Sequence, residues 1–314
     1  MVSNNCFKEL FLLLISFSLL LFSSCQSGVD GTAVPEEGQG TVTFSVTNYR
    51  QISFDDLSSS AATRSDIPTD HPSTLAHLLI AVFDFETGQQ VCSPIQHDQK
   101  DYTKQHDTYP KFTVTLPYGH YRVLVLGYNG SRTCKIASAN HISWDDNYVP
   151  NTFIYCEEFT LDKNTDLDQK ITLQHVVAAF CLETEDATPT ELKKMRFCST
   201  AGGTVLDATT GFTPQSTGRT SEIVIPDNHL LGIKDTFTVY LFLPEEQISA
   251  DYTVQALGKN DAVLFEKRFK DVPLRINTLT LWQGNFFVEE AEEVNAGLSL
   301  YWDTQWADTV TISH

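Results

Sequence analysis

The residue best placed for chemistry is Cys25. Leu21-Phe22-Ser23-Ser24 precede it, and small residues directly before a cysteine resemble a bacterial lipobox. There the cysteine sulfur takes a diacylglycerol, and the freed amine is then acylated, typically with palmitate. Phe22 departs from the usual aliphatic residue, although Leu21 lies beside it. Upstream runs an apolar stretch, Leu10 to Phe22, broken only by Ser16 and Ser18. Its length suits a signal peptide and is too short to span a bilayer as a helix. The bland reading is an ordinary secretory signal with an incidental cysteine. The expectation is a leader over residues 1–24, removed so that the chain starts at a lipidated Cys25. Several acyl chains, at about 0.8 kcal/mol per buried CH₂, anchor far more firmly than one. Residues 25–40, rich in glycine and acid and containing Pro35, then read as a flexible spacer.

Little else in the chain promises chemistry. There is no nucleophile elbow, phosphate-binding loop, dinucleotide fingerprint or zinc-protease run. The nine histidines are scattered with no i, i+4 pair, so neither catalytic nor metal-binding residues are assigned and no cofactor is expected. Asp162-Lys163-Asn164-Thr165-Asp166-Leu167-Asp168 places oxygen ligands at alternate positions. A calcium loop needs glycine where Leu167 stands and a bidentate glutamate where Leu173 stands, so an acidic inter-strand loop is the better reading. Cys92, Cys134, Cys156, Cys181 and Cys198 remain once Cys6 and Cys25 are set aside. Export permits disulfides, the odd count leaves one thiol over, and Cys181 with Cys198 is the first pair to consider. Small apolar residues facing a β core is the bland alternative. Trp144, Trp302 and Trp306 are candidate platforms for stacking a sugar, or simply cover a core edge.

Charge narrows the partners. Across 314 residues, 21 Lys plus Arg against 40 Asp plus Glu leave −19. Nucleic-acid affinity comes mainly from phosphates neutralised by Lys and Arg, so no nucleic-acid partner is expected. Hydrophobic content of 41% with 20 Phe, 11 Tyr and 4 Trp argues for a folded chain, and the length allows two domains.

The elements that must carry these residues read as strands. Thr41 to Thr47 alternates with period two, as a half-buried strand does. Leu78 to Phe83 is a continuous apolar run short enough to be a strand covered on both faces. Further strands are expected at 112–117, 119–127, 176–182, 222–225, 236–243, 252–257, 263–269 and 276–282. Helical pattern is scarce, with a turn or two over Thr190 to Met195. An internal repeat stands out: Tyr121 to Asn129 and Tyr252 to Asn260 share Y-x-V-x-x-L-G-x-N. Each follows a strand closed by a proline, Pro117 or Pro244. Length and repeat together predict an all-β chain of two sandwiches, over 41–173 and 174–314.

These residues in this order resemble the FimB-type fimbrial anchor and accessory lipoproteins of type V pili. The resemblance rests on the lipobox cysteine, the spacer, the strand Val42-Thr43-Phe44-Ser45-Val46 and the Arg-containing loop Ala62-Thr63-Arg64-Ser65. It continues through Leu78 to Asp84, Phe112-x-Val114-x-Leu116-Pro117-x-Gly119-x-Tyr121, Leu173-Gln174-His175-Val176-Val177-Ala178 and Tyr240-Leu241-Phe242-Leu243-Pro244. It implies two tandem transthyretin-like, Greek-key β-sandwiches on the cell outer membrane, held by the N-terminal lipid and exposed at the base of a fimbrium.

The resemblance also implies assembly by donor strand, with stalk or accessory pilin subunits as partners. Stalk pilins of the family lose their first strand by proteolysis after an arginine. An anchor would keep it, so Val42, Phe44 and Val46 are the candidate retained strand, with Arg50 and Arg64 the candidate cleavage sites. Thr309, Val310, Thr311 and Ile312 alternate and are the candidate donor strand, or else the last strand of the second sandwich. The implied role is a non-catalytic anchor that limits fimbrial length. The alternatives are a surface glycan-binding lipoprotein and an adhesive tip or accessory pilin.

Overall fold

A computed structural model describes residues 38–49, 75–98, 111–163, 167–288 and 298–302. Cys25, Arg50, Arg64, Trp306 and the candidate donor strand Thr309, Val310, Thr311 and Ile312 lie outside these residues. The chain is all β. In the first half run β1 (Gln39–Tyr49), β2 (His77–Asp84), β3 (Ile95–Asp98), β4 (Lys111–Pro117), β5 (Gly119–Asn129), β6 (Cys134–Ser138), β7 (His141–Trp144), β8 (Asn151–Leu161) and β9 (Leu167–His175). The second half has β10 (Ala178–Thr184), β11 (Lys194–Ser199), β12 (Arg219–Val224), β13 (Thr236–Leu241), β14 (Gln247–Leu257), β15 (Val263–Arg275), β16 (Thr278–Gly284) and β17 (Leu298–Trp302).

Hydrophobic alternation sets the layers. Strands β3-β2-β5-β8 form one layer and β9-β1-β4 the other, joined at one corner where Phe153 and Ile154 pair with His175 and Gln174. Every second side chain enters the space between: Val42, Phe44 and Val46 from β1, Ile80 and Val82 from β2, Phe112, Val114 and Leu116 from β4. Tyr121, Val123, Phe159, Ile171 and Leu173 close the same core. The second half repeats the plan, with β12-β11-β14-β15 facing β13-β10-β16-β17. Its core gathers Phe180, Leu182, Met195, Phe197, Val239, Tyr252, Val254, Phe269 and Trp282.

The repeat in the sequence is therefore a repeat in space. Pro117 ends β4, and the chain crosses to the opposite layer as β5, sending Tyr121 and Val123 inward. After β13 and Pro244 it crosses again as β14, sending Tyr252 and Val254 inward.

A third apolar cluster explains why β2 is apolar without alternation. Its Leu79, Ala81 and Phe83, with Leu124 and Leu126 of β5, are buried on the face turned away from the first core. The β6–β7 hairpin covers them with Ile142 and Trp144, and Val176, Val177, Leu206 and Phe242 of the following chain complete the cluster. Ile142 and Leu206 exchange both backbone hydrogen bonds, at 2.9 and 2.8 Å, so the two halves are stitched by main chain as well.

Two expectations need correction. The segment over Thr190 to Met195 holds only a turn, at 190–191, before β11 begins at Lys194. The strand wins because Met195 and Phe197 alternate into the second core. Cys181 and Cys198 are not bonded to each other: each is a free thiol. Phe180 and Leu182 point inward from β10, so Cys181 points out. Phe197 points inward from the opposing layer, so Cys198 points out on the other side. Layers about 10 Å apart with both thiols turned outward cannot be bridged.

Candidate functional site

Strand β1 is the element on which the fimbrial expectation turns. It lies between β4, antiparallel from Gln39↔Pro117 to Ser45↔Lys111, and β9, parallel from Val42↔Leu167 onward. Both backbone edges are therefore used. Val42 and Phe44 are fully buried and Val46 nearly so. The Phe44 ring meets Phe159 of the opposite layer edge-on, with centroids 5.5 Å apart. On the outer face Thr41 and Thr43 meet Thr115 and Thr113 at 3.2 and 3.1 Å, a cross-strand hydroxyl ladder. Alternation alone fixes this register, since a slip of one residue would expose Phe44 and bury the threonines.

Among the stacking candidates, Trp144 offers no face to a sugar. It is buried at 3% exposure, with Tyr128 edge-on at 5.6 Å and Phe242 at 5.7 Å. Trp302 ends β17, paired with Thr278 of β16. Among the described residues no group of three His, Cys, Asp or Glu side chains is arranged to hold a metal ion.

His175 is a site that sequence reasoning missed. It is not a solvated histidine: its ring is buried, stacked on Phe153 at 4.5 Å. Its nitrogens bridge the side-chain amides of Asn151, at 2.5 Å, and Asn277, at 2.9 Å. Burial lowers its pKa to about 4, against a smaller opposing effect of Asn277. Both nitrogens face amide oxygens, Asn277 Oδ1 and Asn151 Oδ1, and the neutral ring has one N–H to donate to them. The signal was available, because His175 continues the inward series Ile171, Leu173.

In the second half, the edge strands β12 and β13 flank a cleft of about 890 Å³. Thr220, Ser221, Glu222 and Val224 line one wall, Thr236, Thr238 and Tyr240 the other, and Arg132 and Tyr148 the end toward the first half. Arg219 lines the same cleft, where its Nε donates to Ser221 Oγ at 2.8 Å. Its buried Nη1 has no hydrogen-bond partner, and burial lowers the guanidinium to about 10. The Tyr252 hydroxyl is likewise buried, and its pKa is raised by desolvation. The Glu222 carboxylate is held by Lys194 at 2.9 Å and Arg196 at 2.7 Å, and both cations also reach Asp261.

No family model and no curated protein matches the chain. Solved neighbours include fimbrial proteins. The fimbrial anchor protein Mfa2 from Porphyromonas gingivalis is 14% identical over 77% of this chain and 90% of its own, with a TM-score of 0.34. The tip fimbrial protein Mfa3 from the same organism is 13% identical over 80% and 97%, with a TM-score of 0.37. A fimbrial assembly protein from Parabacteroides distasonis is 14% identical over 83% and 93%, with a TM-score of 0.38.

Proposed function

We propose that this chain is a non-catalytic subunit that holds a fimbrium at the cell outer membrane through lipid on Cys25. The observation that carries the reading is β1. A subunit that must receive a strand in its first sandwich would leave that groove open, whereas here Val42, Phe44 and Val46 fill it and both edges of β1 are paired. A subunit that fills its own groove ends the series on that side, which suits a fimbrial base. In this reading 41–173 and 174–314 are tandem transthyretin-like sandwiches, and Thr309 to Ile312 is the strand donated to a stalk or accessory pilin. Burial of Val310 and Ile312 offers about 1.5–3 kcal/mol each, with main-chain pairing adding to it.

Capture of the Cys25-lipidated protein from native membranes tests the role, with fimbrial subunits expected to co-purify. Removal of residues 310–314 should leave the protein folded and lipidated while fimbriae are lost to the medium. Normal retention would exclude the donor strand. N-terminal sequencing of the mature form separates the anchor from a tip or accessory pilin. A chain starting at Cys25 supports the anchor, and one starting after Arg50 or Arg64 overturns it, because either cut severs the lipid.

A further inference from the structure

Natural sheets guard their edges with lysine, proline, brevity or cover, because an unpaired strand edge is a template for another chain. In the first half β3 is only four residues long, and β4 begins at Lys111 and ends at Pro117. In the second half β15 carries Pro273 and a run of charges from Glu266 to Asp271. The edges of β12 and β13 have neither lysine nor proline.

The ladder shows which backbone groups of β12 are left over. Ile225 N–H donates to Lys193 O, and Thr200 N–H on β11's other side donates to Asp251 O. With the register Lys194↔Val224 to Ser199↔Arg219, Arg219, Ser221 and Ile223 therefore spend their N–H and C=O groups on β11. Thr220, Glu222 and Val224 turn theirs into the cleft, and no described residue accepts or donates there. Beside them Val224 is 68% exposed, and Leu230 and Ile233 are exposed in the connection to β13. Arg219 adds a cation at the same edge with no carboxylate among the described residues to meet it.

We propose that this cleft receives an extended segment of another polypeptide as a fifth strand beside β12, one whose acidic side chain pairs with Arg219. Free N–H and C=O groups at Thr220, Glu222 and Val224 supply main-chain affinity. The exposed aliphatics take alternate side chains, and the Arg219 guanidinium, without a partner at Nη1, sets the register. The inference goes beyond the fimbrial reading and stands whether or not the chain serves a fimbrium.

The test uses the purified protein and a fluorescein-labelled, blocked peptide that alternates threonine and valine around one central glutamate. Saturable binding by anisotropy is expected, with deuterium uptake slowed over 219–225. Binding should weaken about tenfold, the loss of one charge-assisted hydrogen bond, for Arg219→Gln or for the glutamine version of the peptide. Val224→Pro is the second variant. It removes an N–H that the fold does not use, so the protein stays folded by circular dichroism while the peptide is no longer bound. No saturation up to roughly 1 mM peptide, unchanged binding to Val224→Pro, or protection at β4 or β15 instead would each overturn the proposal. Membrane capture of fimbrial subunits is scored separately, so either idea can fail alone.

Discussion

The two halves share one topology and put it to opposite uses. In each, the first strand lies antiparallel to a proline-followed strand and parallel to a later one: β1 between β4 and β9, β10 between β13 and β16. In each, a short edge strand, β3 or β12, starts the other layer. The first half is then closed on its outer face and at its edges. Its β2–β5 face is sealed by the β6–β7 hairpin and by Leu206 and Phe242, and its edges carry Lys111 and Pro117. The corresponding face of the second half bears the Lys194–Glu222–Arg196–Asp261 lattice, and its edges open into a cleft. Strand order fixes the fold, and the residues at edges and outer faces decide what each copy can bind.

The strongest way to break this comparison is at the paired inner phenylalanines. Phe44 of β1 and Phe180 of β10 are both fully buried, and replacing either by alanine should cost about 3–5 kcal/mol. Because Val176, Leu206 and Phe242 complete the face behind β2, both variants should lower a single cooperative unfolding transition. Calorimetry checks this. Two transitions, each sensitive to one variant, would show that the shared cluster does not couple the halves.

The next effect sits where the halves meet. His175 of β9 bridges Asn151 of β8 to Asn277 in the turn before β16. Its folded pKa, about 4, lies below its ordinary 6.5. Between these values the unfolded chain binds a proton that the folded chain refuses. Stability is therefore full above pH 6.5 and falls as pH drops toward 4, by about 3 kcal/mol in all. Denaturant midpoints across that window should slope for the native protein and flatten for His175→Gln. Equal slopes would mean that the buried ring does not govern acid stability at this junction.

Much of the fold was legible in the sequence. Period-two runs such as Thr41 to Thr47 became strands with the expected inward residues, and the Y-x-V-x-x-L-G-x-N repeat marked β5 and β14. The apolar run Leu78 to Phe83 was read as covered on both faces, and the third cluster shows what covers it. Strand β11 was missed because Lys194 and Arg196 interrupt the apolar pattern on its charged outer face. Strands β8 and β9 were missed because Cys156, Glu157 and Glu158, then Asp168 and Lys170, hide the alternation. The inward residues of β1 were legible, yet its pairing with β4 and β9 joins residues more than 60 positions apart, which local pattern cannot disclose. The β12–β13 cleft was illegible for the same reason. It exists only where two edges from opposite layers come to one side, and Arg219 gives no local sign of being left without a partner at Nη1.

The smallest effect on stability tests edge guarding itself. Thr220→Lys puts on β12 the charge that Lys111 provides on β4, and Lys111→Thr removes the guard from β4. Both positions are exposed, so each change should leave the unfolding midpoint within about 0.5 kcal/mol. The difference should appear in association. Thr220→Lys should weaken binding of the threonine–valine peptide, because a lysine on the free edge must be displaced or desolvated when a strand pairs there. Lys111→Thr should raise concentration-dependent light scattering, because β4 would then offer an unguarded edge of its own. If neither variant departs from the native protein, guarding residues are not what separates the two halves. The cause would then lie in access, with the β12 edge reachable because it borders a cleft and the β4 edge shielded whatever residue stands at 111.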